Sequence, residues 1–542
     1  MRIQTKTEKK TFFSGVLLLS VSTILVKIVG LIYKIPMLSF LGAEGMGYFN
    51  SAYEIYALFC VIATAGLPVA LSVLISAALA KGDETKISQL YRAAMLAFVL
   101  IGMIGSVFMA LLSPLFCRLI QSDNARLCIL SISPTVFLIC VSSALRGFFQ
   151  GYGKMLQTAV SQLIEAIGKL GFGLFFAQTA LKAGRETHEV AAAAGVGLTL
   201  GTLTSLLYLI VEKVRFQSKM PKNTVKSEEN AEKMRTIWAS LGRLAIPITL
   251  GASAVNLTKM IDMTMILRRL QSIGYSEILA NEAYGSYTTL ALSVYGLLPT
   301  LVNSVALPLV PLLSAAIASG NRSRQVALVQ TSYRLTAIFS IPSALGMAVY
   351  ARPILWLLFS SAPNAVAFAA PLLSMLGVSV FLSCMITATN SVLHAYQSVN
   401  RPIISLLIGS LVKVIVAYFL IGNARFGILG APISSFVCNA VVVLLNLIFA
   451  DRLCKIPSLW KTFAKPLIPS LLSVSISYGV YAAFAEKTGE NAFVTLACIG
   501  LAFLIFFPSA FLFGVFSEED ISALPMGKRF FRIFKRKSAI RG

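Results

Sequence analysis

The sequence predicts an all-α, polytopic membrane protein of about 14 transmembrane helices, built as two pseudo-symmetric six-helix lobes plus two extra helices. Composition, the succession of apolar stretches and an internal repeat predict it. Hydrophobic residues make up 57% of the chain and charged residues 13%, with a mean hydropathy of +0.81. A soluble domain is about one-quarter charged. A helix needs about 20 apolar residues to cross the hydrocarbon. Such stretches lie near 12–35, 49–80, 93–116, 127–146, 157–181, 190–211, 237–267, 284–318, 333–351, 364–393, 402–421, 426–450, 464–485 and 491–516. Those at 49–80 and 284–318 exceed one crossing, so tilt, kinks or projecting ends are expected there.

The N-terminus is basic and then apolar. No small-x-small cleavage site follows and Lys27 interrupts the run, so this is the first helix, not a removed signal. After the fourth helix comes "ALRGFFQGYGKMLQTAVSQLIEAIGK" (144–169), in which Gly147, Gly151 and Gly153 permit a tight turn. It carries Arg146, Lys154, Glu165 and Lys169, and "LHAYQSVNRPIISLLIGSLVK" echoes it later. The polar loop near 213–236 joins the lobes, giving boundaries of 1–225 and 226–455. Helices thirteen and fourteen (456–516) fall outside the repeat. The tail, 517–542, contains "KRFFRIFKRK", cations and aromatics suited to an anionic lipid surface.

The repeat rests on ordered matches. "KIVGLIYKIPMLSFLG" (27–42) aligns with "KMIDMTMILRRLQSIG" (259–274), and "SAALAKGD" (76–83) with "SAAIASGN" (314–321). Gln150 matches Gln397, Lys154 matches Arg401, Ser161 matches Ser405 and Lys169 matches Lys413, at nearly constant offset. Six helices per half means both halves enter from the same side, related by an axis along the membrane normal.

The net charge is +24. With the N-terminus inside, loops on that side carry 30 Lys and Arg and the opposite loops carry 9. The positive-inside rule places both termini in the cytoplasm of a multi-pass cell-membrane protein. The cations follow topology, which argues against nucleic acid as a partner. The eight cysteines are scattered with no C-x-x-C, so neither a metal nor a disulfide framework is expected. No cofactor is expected. There are two histidines, His188 and His394, no D-x-D and no G-x-x-x-x-G-K-[ST]. An integral-membrane glycosyltransferase and an ATP-hydrolysing pump both lack their signatures.

Charge inside the bilayer costs about 2.5–3.5 kcal/mol on insertion scales and marks a partner or a wet cavity. Lys27 and Lys34 lie seven residues apart, within about 20° of each other around one helix. The candidates for a central cavity are Lys27, Lys34, Lys259, Asp262, Glu54, Lys169 and Lys413. Plainer alternatives stand beside them. Glu165 and Lys169 are spaced i,i+4 and can neutralise each other, as can Lys259 and Asp262 within their helix. Lys34 can snorkel outward, and Arg146, Arg268 and Arg269 can anchor helix ends at the interface. A cavity in which lysines outnumber carboxylates favours anions.

"KIVGLIYKIPMLSFLGAEGMGYFNSAYEIYALF", "RGFFQGYGKMLQTAVSQLIEAIGK" and "LAIPITLGASAVNLTKMIDMTMILRRL" together resemble the stage V sporulation protein B family of polysaccharide-type exporters. The resemblance runs in order over essentially the whole chain. "RGxxQGxxxM…TAxSQxxE" is its most specific part; the rest is looser. It implies the fold shared by MurJ-type lipid II flippases and MATE exporters, with helices thirteen and fourteen forming a groove for a lipid tail. It implies a flippase for an anionic, polyprenyl-pyrophosphate-linked sugar working by alternating access, in peptidoglycan or spore-cortex synthesis. Peptidoglycan polymerases are implied as partners, and a monomer is expected. The alternatives are export of another lipid-linked oligosaccharide or MATE-like antiport of a small molecule. Lys27 falls where those flippases carry an essential first-helix arginine; a second such position is Tyr33 here, a departure that leaves the exact substrate open.

Overall fold

The computed structural model describes residues 6–218, 234–300, 309–398, 400–455 and 459–515. The basic tail and most of the 213–236 loop lie outside these residues. Every regular element among the described residues is a helix. In chain order they are α1 Lys6–Thr64, α2 Gly66–Ala80, α3 Glu84–Leu111, α4 Ser113–Ile120, α5 Arg126–Gly151, α6 Met155–Lys182, α7 Thr187–Ser218, α8 Met234–Ser272 and α9 Glu277–Ser286. A π-helical turn, Tyr287–Ala291, leads into α10 Leu292–Tyr295. Then follow α11 Leu309–Ala318, α12 Arg322–Val349, α13 Ala351–Phe359, α14 Pro363–Ala395, α15 Asn400–Ile421, α16 Gly430–Leu453, α17 Leu459–Thr488 and α18 Ala492–Leu512.

Eleven segments are long and apolar enough to cross a membrane, or twelve when α12 and α13, bent by 77°, are taken as one. The difference from the expected count has two sources. The first segment, Val21–Ala80, is 60 residues long. At about 1.5 Å per residue that is far more than one crossing, and non-helical Gly42 and a turn at Ala65 divide it. The predicted stretch 284–318 runs through residues 301–308, outside the described set. Large apolar side chains such as Phe419 (69% exposed) and Leu504 (73%) face outward, which is unfavourable in water and natural against lipid.

Local geometry bears on the repeat. Gly42 and Gly274, matched in sequence, both have positive φ, 64° and 103°. Gly82 and Gly320 do likewise at 70° and 67°. Their neighbours Asp83 and Asn321 each cap the next helix, accepting from the backbone N–H of Lys86 (2.9 Å) and Arg324 (3.0 Å). The turn after α5 requires a correction. Gly153 N–H donates to the Gln150 carbonyl and Lys154 N–H to that of Phe149; Gln397 donates to His394 and Ser398 to Leu393. Gly153 therefore corresponds to Gln397. The sequence matches of Gln150 and Lys154 are displaced by three residues, because a shared glutamine outweighed turn geometry. Even so, Lys154 lies over the Phe216 ring at 4.6 Å and Arg401 over Phe449 at 5.6 Å. Each pins the start of one helix to the end of the next.

Contacts divide the chain into two compact units, 1–289 with Ala417–Ile428, and 290–416 with 429–542. In the first, α1 packs on α5, α6, α7, α8 and α9, and α6 lies along α7. The approach of α9 to α1 is close enough that a Cβ on Gly285 would sit 1.9 Å from the Ala43 carbonyl oxygen. In the second unit, α12 packs on α14 and α17, and α17 on α18. The last two helices are fastened by polar contacts. The Tyr350 hydroxyl meets Ser477 Oγ at 2.7 Å, Ser477 donates to the Cys498 carbonyl, and Arg352 pairs with Glu490 at 2.5 Å.

Candidate functional site

The first unit gathers charge at two places. One involves α1 and α8. Lys34 Nζ donates to the Thr288 carbonyl at 3.5 Å, and Glu54 lies within electrostatic reach of Lys34, Lys259 and Asp262. Lys27 and Lys259, both exposed, are near enough to repel each other. One Glu54 oxygen, Oε2, is buried without a hydrogen-bond partner. Just beyond, Asn50 Nδ2 donates to Thr288 Oγ1 and Thr289 Oγ1, both at 2.8 Å. The π-turn 287–291 brings Thr288 and Thr289 side by side toward α1, and such turns often accompany functional sites. Lys27, Lys34, Glu54, Lys259 and Asp262, singled out individually from the sequence, thus form one group of three cations and two carboxylates. Asn50, Thr288 and Thr289 escaped sequence reasoning, since polar uncharged residues are common in membrane helices.

The second place is a buried triad. Arg146 Nη2 donates to Glu165 Oε2 at 2.7 Å, and Lys169 Nζ to Glu165 Oε1 at 2.6 Å. Arg146 Nε also donates to Ser161 Oγ (2.9 Å), and Nη2 to Ser205 Oγ (3.1 Å). The i,i+4 pairing of Glu165 and Lys169 expected from spacing is present. Arg146 is not an interfacial anchor: it is only 9% exposed. Gly147 lets α5 pack closely on α2, where a Cβ would fall 2.9 Å from the Pro68 carbonyl oxygen, and Arg146 faces α6 and α7, so that one carboxylate serves two cations. Lys169 is committed to Glu165 in this arrangement.

Tyr33 stands apart from both groups, its hydroxyl against Gly173 and its ring 6.4 Å from that of Phe49. Lys413 belongs to the second unit, half-exposed on α15. Among the described residues no group of three or more His, Cys, Asp or Glu could hold a metal ion.

The profile of the family described as "Polysaccharide biosynthesis protein" matches residues 12–316, more than half of the chain. The chain belongs to that family. The MatE profile matches residues 247–419 of this family member. Two similar proteins of Bacillus subtilis (strain 168) are stage V sporulation protein B, 24% identical over 96% of this chain and 98% of that protein, and lipid II flippase MurJ, 25% identical over 74% and 76%. Among solved structures, lipid II flippase MurJ in an inward closed conformation superposes with a TM-score of 0.70 at 17% identity, covering 92% of this chain and 98% of that one. An inward-facing multidrug resistance MATE family transporter gives 0.64 at 15% identity, covering 81% and 98%. The expected resemblance and the all-α polytopic fold are thereby shown. The family member is a multi-pass membrane protein with the fold of flippases and transporters.

Proposed function

We propose that this polysaccharide biosynthesis family member flips an anionic, polyprenyl-pyrophosphate-linked sugar resembling lipid II across the cytoplasmic membrane by alternating access. The observation that carries the reading is the convergence of Lys27, Lys34 and Lys259 on one place, with two of these cations exposed. A pyrophosphate is a dense anion, and lysine ammonium groups bind phosphate as point charges. Glu54 and Asp262 offset part of the charge, leaving a net positive site. The halves read from the sequence, 1–225 and 226–455, are the bodies that rock, with α8 and α9, which pack with the first unit here, changing partners between states. Both termini lie in the cytoplasm by the loop charge bias. The stage V sporulation protein B and MurJ relatives favour cell-wall or spore-cortex synthesis, with peptidoglycan polymerases consuming the product of a monomeric flippase.

Proteoliposomes containing only this protein test the reading. Labelled lipid II should cross them, and an inactive preparation that is folded and correctly inserted would sink the proposal. A second reading, antiport of a small organic cation, is favoured by the partnerless buried Oε2 of Glu54 and the MatE match. It requires cation efflux coupled to an inward ion gradient in the same vesicles, lost in Glu54→Gln.

A further inference from the structure

The first unit has a cleft of about 930 Å³ that the charged group does not use. Its wall is one face of α8, through Leu257, Met260, Ile261, Thr264, Met265 and Arg268. These recur at three- and four-residue steps, as a single helical stripe must. From Leu257 to Arg268 the stripe rises about 16 Å at 1.5 Å per residue, close to half of an approximately 30 Å hydrocarbon core. The cleft is one leaflet deep, apolar below and polar at its mouth, where Arg268, Arg269, Gln271 and Glu277 stand.

Arg269 is held in place. Its Nε donates to the Tyr418 carbonyl at 3.1 Å, and its guanidinium lies 4.0 Å from the Tyr418 ring centre. Gly422 makes room for it: a Cβ there would fall 1.9 Å from Nη2. The two terminal amino groups make no hydrogen bond to another described residue, so a fixed fork of donors is presented at the mouth. Glu277 accepts from Ser122 Oγ (3.2 Å) and Asn124 N–H (3.1 Å) and is thus already engaged. Counting Arg268, Arg269 and Glu277, the mouth carries one net positive charge.

We propose that this cleft is a binding site for a monoanionic phospholipid such as phosphatidylglycerol. Its phosphate would lie on Arg269 and Arg268, and one acyl chain along the α8 stripe. Depth matches a leaflet, charge matches a single phosphate, and the apolar wall matches a chain. Under the orientation proposed above it is the outer leaflet. The site is separate from the one proposed for the transported substrate, so a lipid here would act on transport from outside the pathway.

The test is native mass spectrometry of the full-length protein with phosphatidylglycerol, with phosphatidylcholine of the same chains, and with glycerol phosphate as headgroup alone. Phosphatidylglycerol should bind in preference to phosphatidylcholine, and glycerol phosphate should not displace it. The Arg268→Gln/Arg269→Gln protein should lose about tenfold or more in phosphatidylglycerol affinity, as expected for charge-assisted hydrogen bonds. Thr264→Trp fills the apolar part while keeping both arginines in the sequence and should lower affinity for the same lipid. Equal binding of both lipids, wild-type affinity in a folded double variant or in Thr264→Trp, or full competition by glycerol phosphate would each overturn the proposal.

Discussion

Lys27 and Arg146 illustrate two fates of an intramembrane cation. Arg146 is buried among Glu165, Ser161 and Ser205, and removing one partner of a buried pair leaves an uncompensated charge, at a cost of about 3–5 kcal/mol. Arg146→Ala should therefore lower the thermal stability of the detergent-solubilised protein markedly. Lys169→Ala should cost less, because Glu165 keeps Arg146. Equal melting temperatures for the two variants would contradict this ranking. Lys27 is exposed beside Lys259, so its substitution should spare the fold and affect the substrate. A hydrogen bond to a charged group is worth about 1.5–3 kcal/mol, and reversing the sign should cost more than losing it. In a strain lacking its other lipid II flippases, Lys27→Arg should support growth and Lys27→Glu should not, at equal membrane levels. Growth of both would make Lys27 an anchor.

Among helices, α1 and α9 cross in close contact, and α8 and α9 are tied to the segment after α4. Gly285 abuts the Ala43 carbonyl, Asn281 Nδ2 donates to Ser122 Oγ at 3.0 Å, and Gln271 Nε2 donates to the Gln121 carbonyl at 2.8 Å. A larger residue at position 285 must push α9 away from α1 and so shift Asn281, one turn earlier on α9, relative to Ser122. In a protein freed of its eight native cysteines, Ser122→Cys with Asn281→Cys should form a disulfide under mild oxidation. Adding Gly285→Leu should suppress it, and undiminished cross-linking would show that this joint tolerates bulk. The helix caps teach a related lesson. Gly82–Asp83 and Gly320–Asn321 repeat a turn and a cap, so their likeness in sequence reflects backbone geometry rather than chemistry.

At the scale of the whole molecule, the proposed cargo is an anion and the sequence contains no P-loop. A membrane potential is worth about 2.3 kcal/mol per charge per 100 mV, so an interior-negative potential should speed outward flipping. Imposing it with a potassium gradient and valinomycin should raise the initial rate in proteoliposomes, and ATP should have no effect. A rate indifferent to potential would mean that net charge does not move with the substrate. Helices α17 and α18 are fastened to α12 and α13 by the Tyr350–Ser477 and Arg352–Glu490 contacts. If they guide the lipid tail, deletion after residue 456 should abolish transport of a long-chain substrate more than that of a short-chain analogue. Equal effects on both would remove that role.

The sequence alone determined the membrane class, the positions of most spans, the repeat, the Glu165–Lys169 pair and the excess of lysines. Each rests on a pattern within about one helix length or on a constant offset, so none needs the folded chain. Tertiary structure decided the partners. Arg146 turns inward to a carboxylate 19 residues away, Lys34 reaches a carbonyl 254 residues away, and Arg269 is clamped by Tyr418, 149 residues on. It also decided that α8 and α9, which open the second repeat, group with the first unit. The physical reason is that unpaired charge is costly where water is scarce. Which partner relieves it depends on the helix faces that meet, and no window along the chain contains that information.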